Sequence, residues 1–281
     1  MFNISISPPQ TELVIKPSGR FTQAYQIKNN GNQTLYLSTS IKQFLPADST
    51  GAISYFDTST DQISFSLANA DLKLGQNFII KPNQEKQLVL KFSALPTTPD
   101  QDYYFTLFIS QIDQGGSTSS SLGQIGAHIL ISSSQNLTTQ PKANIDSIKT
   151  TPKFKDVFLK PISLSVDLQN QSDNFFKAEG KIVIQKGGKI IKELAVNPQN
   201  ILANSSHYLT CLENDQVIPC SISPPFWPGP YTATLKLDSE VNYTSSPSTF
   251  LVLPYSIFAL IIIVFGIFFL AKKLKKTKST P

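Results

Sequence analysis

Apolar and polar residues alternate along most of this chain with the two-residue period of half-buried strands. Asn3 to Ser7 forms a first such run, stopped by Pro8-Pro9, and Glu12 to Ile15 forms a second, closed by the turn Lys16-Pro17-Ser18-Gly19. In the next run Phe21, Tyr25 and Ile27 share one face and Thr22, Gln26 and Lys28 the other. The turn residues Asn29 to Asn32 tolerate positive φ and predict a hairpin into TLYLSTSI, with Leu35, Leu37 and Ile41 facing the same core. Residues 44–76 are less regular and predict one short strand, Ile53 to Phe56. FIIKPNQEKQLVLKF reads as strand, turn and strand, with Leu88, Leu90 and Phe92 alternating. Asp102 to Gln111 is apolar on both faces, as a central strand is, and a loop QGGSTSSS separates it from a closing strand, GQIGAHILISS. Seven to nine strands without a helical period predict an immunoglobulin-like sandwich over residues 1–138.

A polar hinge, Asn136 to Ala143, precedes a second set of strands. Ile162, Leu164, Val166 and Leu168 alternate cleanly with polar residues, and Lys186-Gly187-Gly188-Lys189 predicts a two-residue hairpin. Near its end, Tyr231, Ala233, Leu235 and Leu237 share a face. This predicts a second immunoglobulin-like sandwich over 139–245, followed by a short stalk over 241–250. Trp227, the one tryptophan, lies among prolines and is expected to pack within its loop.

The period then vanishes. Leu251 to Ala271 carries no charge, and about 20 such residues at ~1.5 Å each cross a hydrocarbon core of ~30 Å. A single transmembrane helix at 251–271 and a basic tail at 272–281 follow. The fold class expected is therefore all-β: two tandem immunoglobulin-like β-sandwich domains and one C-terminal transmembrane α-helix. Lys272, Lys273, Lys275, Lys276 and Lys278 mark the cytoplasmic side, which places residues 1–250 outside the cell membrane. That topology needs a signal sequence, and MFNISISPP has no basic or apolar region of that kind, so the expectation is a signal removed or a start misassigned.

Charge changes the picture little. The net charge is +5, but residues 1–138 hold 8 basic and 9 acidic groups and residues 139–250 hold 11 and 10, so the excess is the tail's. No basic field for nucleic acid remains, and the tail lysines also suit anionic lipid headgroups. Cys211 and Cys220, nine apart, fit a hairpin disulfide on the oxidising side of a membrane, with two free thiols as the alternative.

The stretch SISPPQTELVIKPSGRFTQAYQIKNNGNQTLYLSTSI resembles the opening of the peptidoglycan-binding domain of the WxL-interacting proteins of bacterial surfaces. IIKPNQEKQLVLKFSALPTTPDQDYYFTLFI and GQIGAHILIS look like its later strands, and the order of two sandwiches, span and basic tail matches as well. Ser18-Gly19 replaces the family's usual Pro-Gly turn, and its early Asn-Gln and Tyr-Phe-Asp-Leu stretches are absent. The resemblance implies contact with peptidoglycan or other surface proteins.

Catalytic patterns are lacking. His128 and His207 have no acidic or cysteine neighbours at metal spacing, and no GxSxG, HExxH, phosphate loop or GxGxxG occurs. Asp100 and Asp102 read as a solvated turn before a strand; calcium at Asp71, Asp100 or Asp102 has no ligand-loop spacing to support it. The expectation is a non-enzymatic binding or scaffolding protein without cofactor or metal, whose partners are the lipid bilayer and peptidoglycan or surface proteins. The alternative is a tail-anchored cytosolic adaptor with a sandwich of the major-sperm-protein type.

Overall fold

Strands account for nearly all the regular structure. The computed structural model describes every residue except Met1, 57–60, 113–122, Asp146, 153–154, Pro225, 239–240, Asn242 and 278–281; for Ala271 and 273–277 it describes the backbone alone. The predicted QGGSTSSS loop and Lys278 lie outside the described residues. The chain divides into two units. The first is Met1–Pro141 with two short loops, Ser172–Phe175 and Leu202–Ser205; the second is Lys142–Gln171, Phe176–Ile201 and Ser206–Pro281.

The first unit holds β1 (Ile4–Ser7), β2 (Gln10–Ile15), β3 (Arg20–Asn29), β4 (Leu35–Pro46), β5 (Ile53–Phe56), β6 (Ile63–Leu67), β7 (Phe78–Ile80), β8 (Glu85–Ala94), β9 (Asp102–Gln111) and β10 (Gln124–Ser133). They form two sheets, ordered β1-β3-β8-β6 and β2-β10-β9-β4-β5, with β7 also on β4. Tyr25, Ile27, Leu37, Leu88, Leu90, Phe92, Phe105 and Leu107 are fully enclosed in one apolar cluster, so the alternating residues do face one core. β9 is central, between β10 and β4.

Two expectations fail here for the same reason: local sequence does not name the partner strand. The Asn29–Asn32 turn is not a hairpin, because β3 pairs with β1 and β8 while β4 lies in the other sheet. The wholly buried Asn29 accepts from the Gly31 N–H (2.9 Å) and donates to the carbonyls of Gln33 (2.8 Å) and Ile80 (3.2 Å), fixing a crossing between sheets. GQIGAHILISS does not close its sheet either, since β2 adds to β10 in parallel, Gln10 opposite His128 through Ile15 opposite Ser133. β6 was not foreseen within 44–76.

The second unit holds β11 (Ala143–Asn144), β12 (Ile148–Thr151), β13 (Lys155–Asp156), β14 (Ile162–Asn170), β15 (Phe176–Lys186), β16 (Lys189–Ile201), β17 (Ser206–Tyr208), β18 (Thr210–Glu213), β19 (Gln216–Pro219), β20 (Ser221–Ile222), β21 (Gly229–Leu237) and β22 (Ser248–Leu253). One sheet is built on β14, with β11, β12, β17 and β20; the other runs β13-β22-β21-β15-β16-β18-β19. Lys186 pairs with Lys189 across the Gly187-Gly188 hairpin. Ile162, Val166, Leu168, Phe176, Ile182, Ile184, Ala233 and Leu235 fill the space between the sheets.

α1 (Tyr255–Thr277, 23 residues) ends the chain and corrects the expected span at both ends. Leu251 to Leu253 belong to β22, where Val252 is fully buried opposite Gly229, so 241–250 is no free stalk. Ser245 is buried too, its Oγ accepting from the Leu235 N–H at 3.0 Å. Every described side chain from Ile257 to Leu270 is exposed. Counted over the described residues, no helix is long and apolar enough to cross a membrane; the side chain of Ala271 and those beyond Lys272 fall outside that count.

Candidate functional site

Among the described residues, one edge of the larger sheet in the first unit has a stretch that no strand covers. On one side β4 pairs with β9 from Leu37 to Gln43. On its other side it pairs with β7 at Leu35 to Leu37 and with β5 at Gln43 to Pro46. Among the described residues, no strand covers the backbone between those two partners. The Ile112 N–H donates to the Tyr36 carbonyl at 2.9 Å, which turns the even-numbered backbone groups of β4 toward β9. The N–H and C=O of Thr39 and Ile41 therefore face away from β9, where no strand among the described residues pairs with them.

An open groove of about 520 Å³ runs along this position, lined by Thr39, Ser40, Ile41, Ile63, Phe65 and Gly75 among others. Its lining mixes hydroxyl and apolar groups with the carboxylate of Asp61. The Gly75 N–H donates to Thr39 Oγ1 at 3.1 Å and fixes one wall. Phe65 packs edge-on against Phe105 (4.7 Å) and Phe92 (5.6 Å), which anchors the other wall in the core. Backbone groups turned outward beside such a groove can hydrogen-bond an extended chain.

The outer face of the same sheet carries a small aromatic cluster. Phe44 lies 5.7 Å from Tyr104, 6.1 Å from Tyr55 and 5.1 Å from the His128 ring, and Tyr55 lies 5.1 Å from Phe108. His128 Nδ1 shares a hydrogen bond with Thr106 Oγ1 at 2.9 Å, and partial burial pushes its pKa down, so the imidazole is neutral at physiological pH. His207 is on β17, and among the described residues no group of His, Cys, Asp and Glu could hold a metal ion.

Asp102 corrects its reading as a solvated turn. Its Oδ1 accepts from Ser132 Oγ (2.6 Å) and Asn174 Nδ2 (3.0 Å), and its Oδ2 from the Tyr104 hydroxyl (2.7 Å) and the Phe175 N–H. Burial nevertheless pushes the carboxyl above its ordinary value, against these four bonds. Burial also pushes the Tyr104 phenol up, with the Asp102 charge adding to it, and the hydroxyl accepts from the Ala203 N–H at 2.8 Å. This is a hydrogen-bonded hub that orders β9, β10 and the two short loops, not a ligand pair. Asp100 instead accepts from the Gln135 N–H at 3.2 Å, and Asp71 pairs with Lys86 at 2.7 Å on the surface. The sequence signal that could have found the hub is the apolar character of both faces of β9: a carboxylate at its head needs partners.

In the second unit Cys211 and Cys220 form a disulfide, S–S 1.99 Å, at the base of the β18–β19 hairpin. Trp227 does not pack within its loop: its side chain is 79% exposed, and Phe226 packs instead, edge-on to Tyr231 at 6.4 Å. Of the tail lysines, Lys272 is exposed, and the side chains of Lys273, Lys275 and Lys276 lie outside the described residues.

No protein-family model matches the chain, and no curated protein matches it. Among solved structures, it is similar to a chain from a chaperone–tip adhesin complex active in CFA/I fimbriae biogenesis: 12% identity, 90% of this chain and 99% of that one covered, TM-score 0.42. It is also similar to a chain of the CsuC–CsuE chaperone–tip adhesion subunit complex of Acinetobacter baumannii, at 12% identity, coverage of 89% and 98%, and TM-score 0.41. The PapD-like domain 7 of human CEP192 covers 47% of this chain at 10% identity, TM-score 0.32.

Proposed function

We propose that this chain is a membrane-anchored cell-surface protein, non-enzymatic, that takes an extended segment of a partner surface protein as an added strand along β4. The backbone of Thr39 and Ile41, which no strand among the described residues covers, and the groove beside it support this reading. At ~3.3 Å per residue, a segment of about four residues fills such a gap and gains backbone hydrogen bonds at each end of it. The anchor is α1: its uncharged part, residues 255–271, reaches about 25 Å at 1.5 Å per residue, close to the shortest run that spans a bilayer, and its described apolar side chains are exposed all round. The lysines that follow set its C-terminus in the cytoplasm, and the Cys211–Cys220 disulfide suits the opposite, oxidising side. Kinship with the WxL-interacting proteins, and with it contact with peptidoglycan, belongs to the same proposal and rests on the resemblance of the opening strands.

The test uses the full chain in nanodiscs, exposed in turn to surface-protein extract and to soluble peptidoglycan, with amide hydrogen exchange as the readout. Protection of Thr39 and Ile41 by the protein extract supports added-strand binding. The variant Ile41→Pro removes an N–H that β9 does not use and is expected to abolish protection at Thr39 while keeping the circular dichroism of the fold. Protection by peptidoglycan alone transfers the site to cell-wall polymer, and protection by neither sinks the proposal. Protease digestion of intact cells reads orientation: the lysine tail stays protected.

A further inference from the structure

One end of the second unit's larger sheet gathers exposed apolar side chains around the start of α1. The register puts them together: Asp156 is opposite Leu253, Gly229 opposite Val252, and Thr232 opposite Gln185. The loop after β13, the loop before β21, the tip of the β15–β16 hairpin and the first turn of α1 therefore share that end. Phe158 is 56% exposed, Leu159 67%, Trp227 79% and Ile190 52%, while the interior of the same sheet is closed.

These side chains are held outward by their backbones. The Trp227 N–H donates to the Tyr231 hydroxyl (3.1 Å), which donates back to the Trp227 carbonyl (2.8 Å), so the loop is clamped with the indole outside it. The Phe226 N–H donates to the Val157 carbonyl at 2.8 Å and ties that loop to the one bearing Phe158 and Leu159. Asp156 accepts from the Phe158 N–H (2.8 Å), from Ser256 Oγ (2.8 Å) and from the Ser256 N–H (2.6 Å), fixing the same loop to the helix start. Lys186 lies over the Tyr231 ring, 5.8 Å from its centroid, and its Cε runs beside Gly229, where an added Cβ would sit 3.3 Å away at φ +131°.

Basic groups predominate on the surface of this end. Lys160, Lys186 and Lys189 flank the apolar residues, and Asp156 is hydrogen-bonded to Phe158 and Ser256. An exposed indole and phenyl ring, aliphatic side chains and lysines around the mouth of an apolar helix match a bilayer surface: rings at headgroup depth, ammonium groups on phosphates.

We propose that this end is an interfacial collar that seats the second unit on the bilayer, with Trp227, Phe158 and Leu159 at headgroup depth and Lys186 and Lys189 on anionic headgroups. It rests on the reading of α1 as the anchor, and the experiment separates the two. Trp227 is the chain's single tryptophan, so its fluorescence reports the collar alone. The full chain is reconstituted into phosphatidylcholine–phosphatidylglycerol vesicles, and flotation reports the anchor. Lipids brominated near the headgroup are expected to quench Trp227, and lipids brominated near the chain ends to leave it bright. In Lys186→Glu/Lys189→Glu the quenching falls, and it falls less in vesicles of phosphatidylcholine alone. Flotation without quenching, with iodide reaching Trp227, overturns the collar and leaves the anchor standing. Shielding from iodide without bromolipid quenching assigns the surface to a second copy of the chain and overturns the lipid assignment. Failure to float overturns both.

Discussion

Two carboxylates in the two units show how the same group is used in opposite ways. Asp102 in the first unit receives four hydrogen bonds and still has its pKa raised, because burial outweighs them. Asp156 in the second is buried as well, and burial works against its charge, yet its donors win and hold the carboxyl below its ordinary value. The donors differ in kind. Two of those on Asp156 are backbone N–H groups of one turn and of the first turn of α1, where the helix dipole favours an anion and no acidic residue of the helix itself supplies one. Three of the four on Asp102 are side-chain hydroxyl or amide groups, which bring no such field. One carboxylate organises its surroundings at the expense of its own charge; the other is stabilised as an anion.

Removing each group breaks the comparison most sharply. Asp102→Ala strands the Tyr104, Ser132, Asn174 and Phe175 donors, and should cost about 3 kcal/mol of stability in urea unfolding, with hydrogen exchange rising first in β9 and β10. Asp156→Ala removes an anion from the helix start and should cost about 1–2 kcal/mol, with the amide of Ser256 losing protection.

Titration gives smaller effects of opposite sign. The folded pKa of Asp102 lies above its unfolded value, so the unfolded chain releases that proton first. Its contribution is fully present below pH ~4 and is lost as pH rises through the folded pKa; Asp102→Asn should flatten that slope. The folded pKa of Asp156 lies below its unfolded value, so its contribution is present above pH ~4 and is lost as pH falls through the folded pKa. Amide exchange in β9 and at Ser256, followed from pH 3 upward (about the lower edge of carboxylate titration), reads both.

Alternation made the strands of both sandwiches legible, since Leu88, Leu90 and Phe92, or Ile162 to Leu168, can bury one face in no other way. The Gly187-Gly188 hairpin was legible because a two-residue turn of that kind joins adjacent strands. What could not be read was anything set by distant pairing. Asp102 meets Ser132 and Asn174 far along the chain, and β2 finds β10 in parallel. Among the described residues, β7 and β5 leave the middle of one side of β4 uncovered, which no local pattern records. Leu251 to Leu253 misled because an apolar edge run and the start of an apolar helix are spelled alike.

The route from helix to sandwich has a mechanical consequence. Tension on α1 enters the second unit through β22, which is bonded to β21 on one side and to β13, in parallel, on the other. Hydrogen bonds set across a pulled strand are loaded together in shear instead of being unzipped singly. We therefore expect single-molecule pulling on the C-terminus to meet its main rupture at β22, and a Phe250→Ala variant to lower that force. Rupture beginning at β9 would refute this load path.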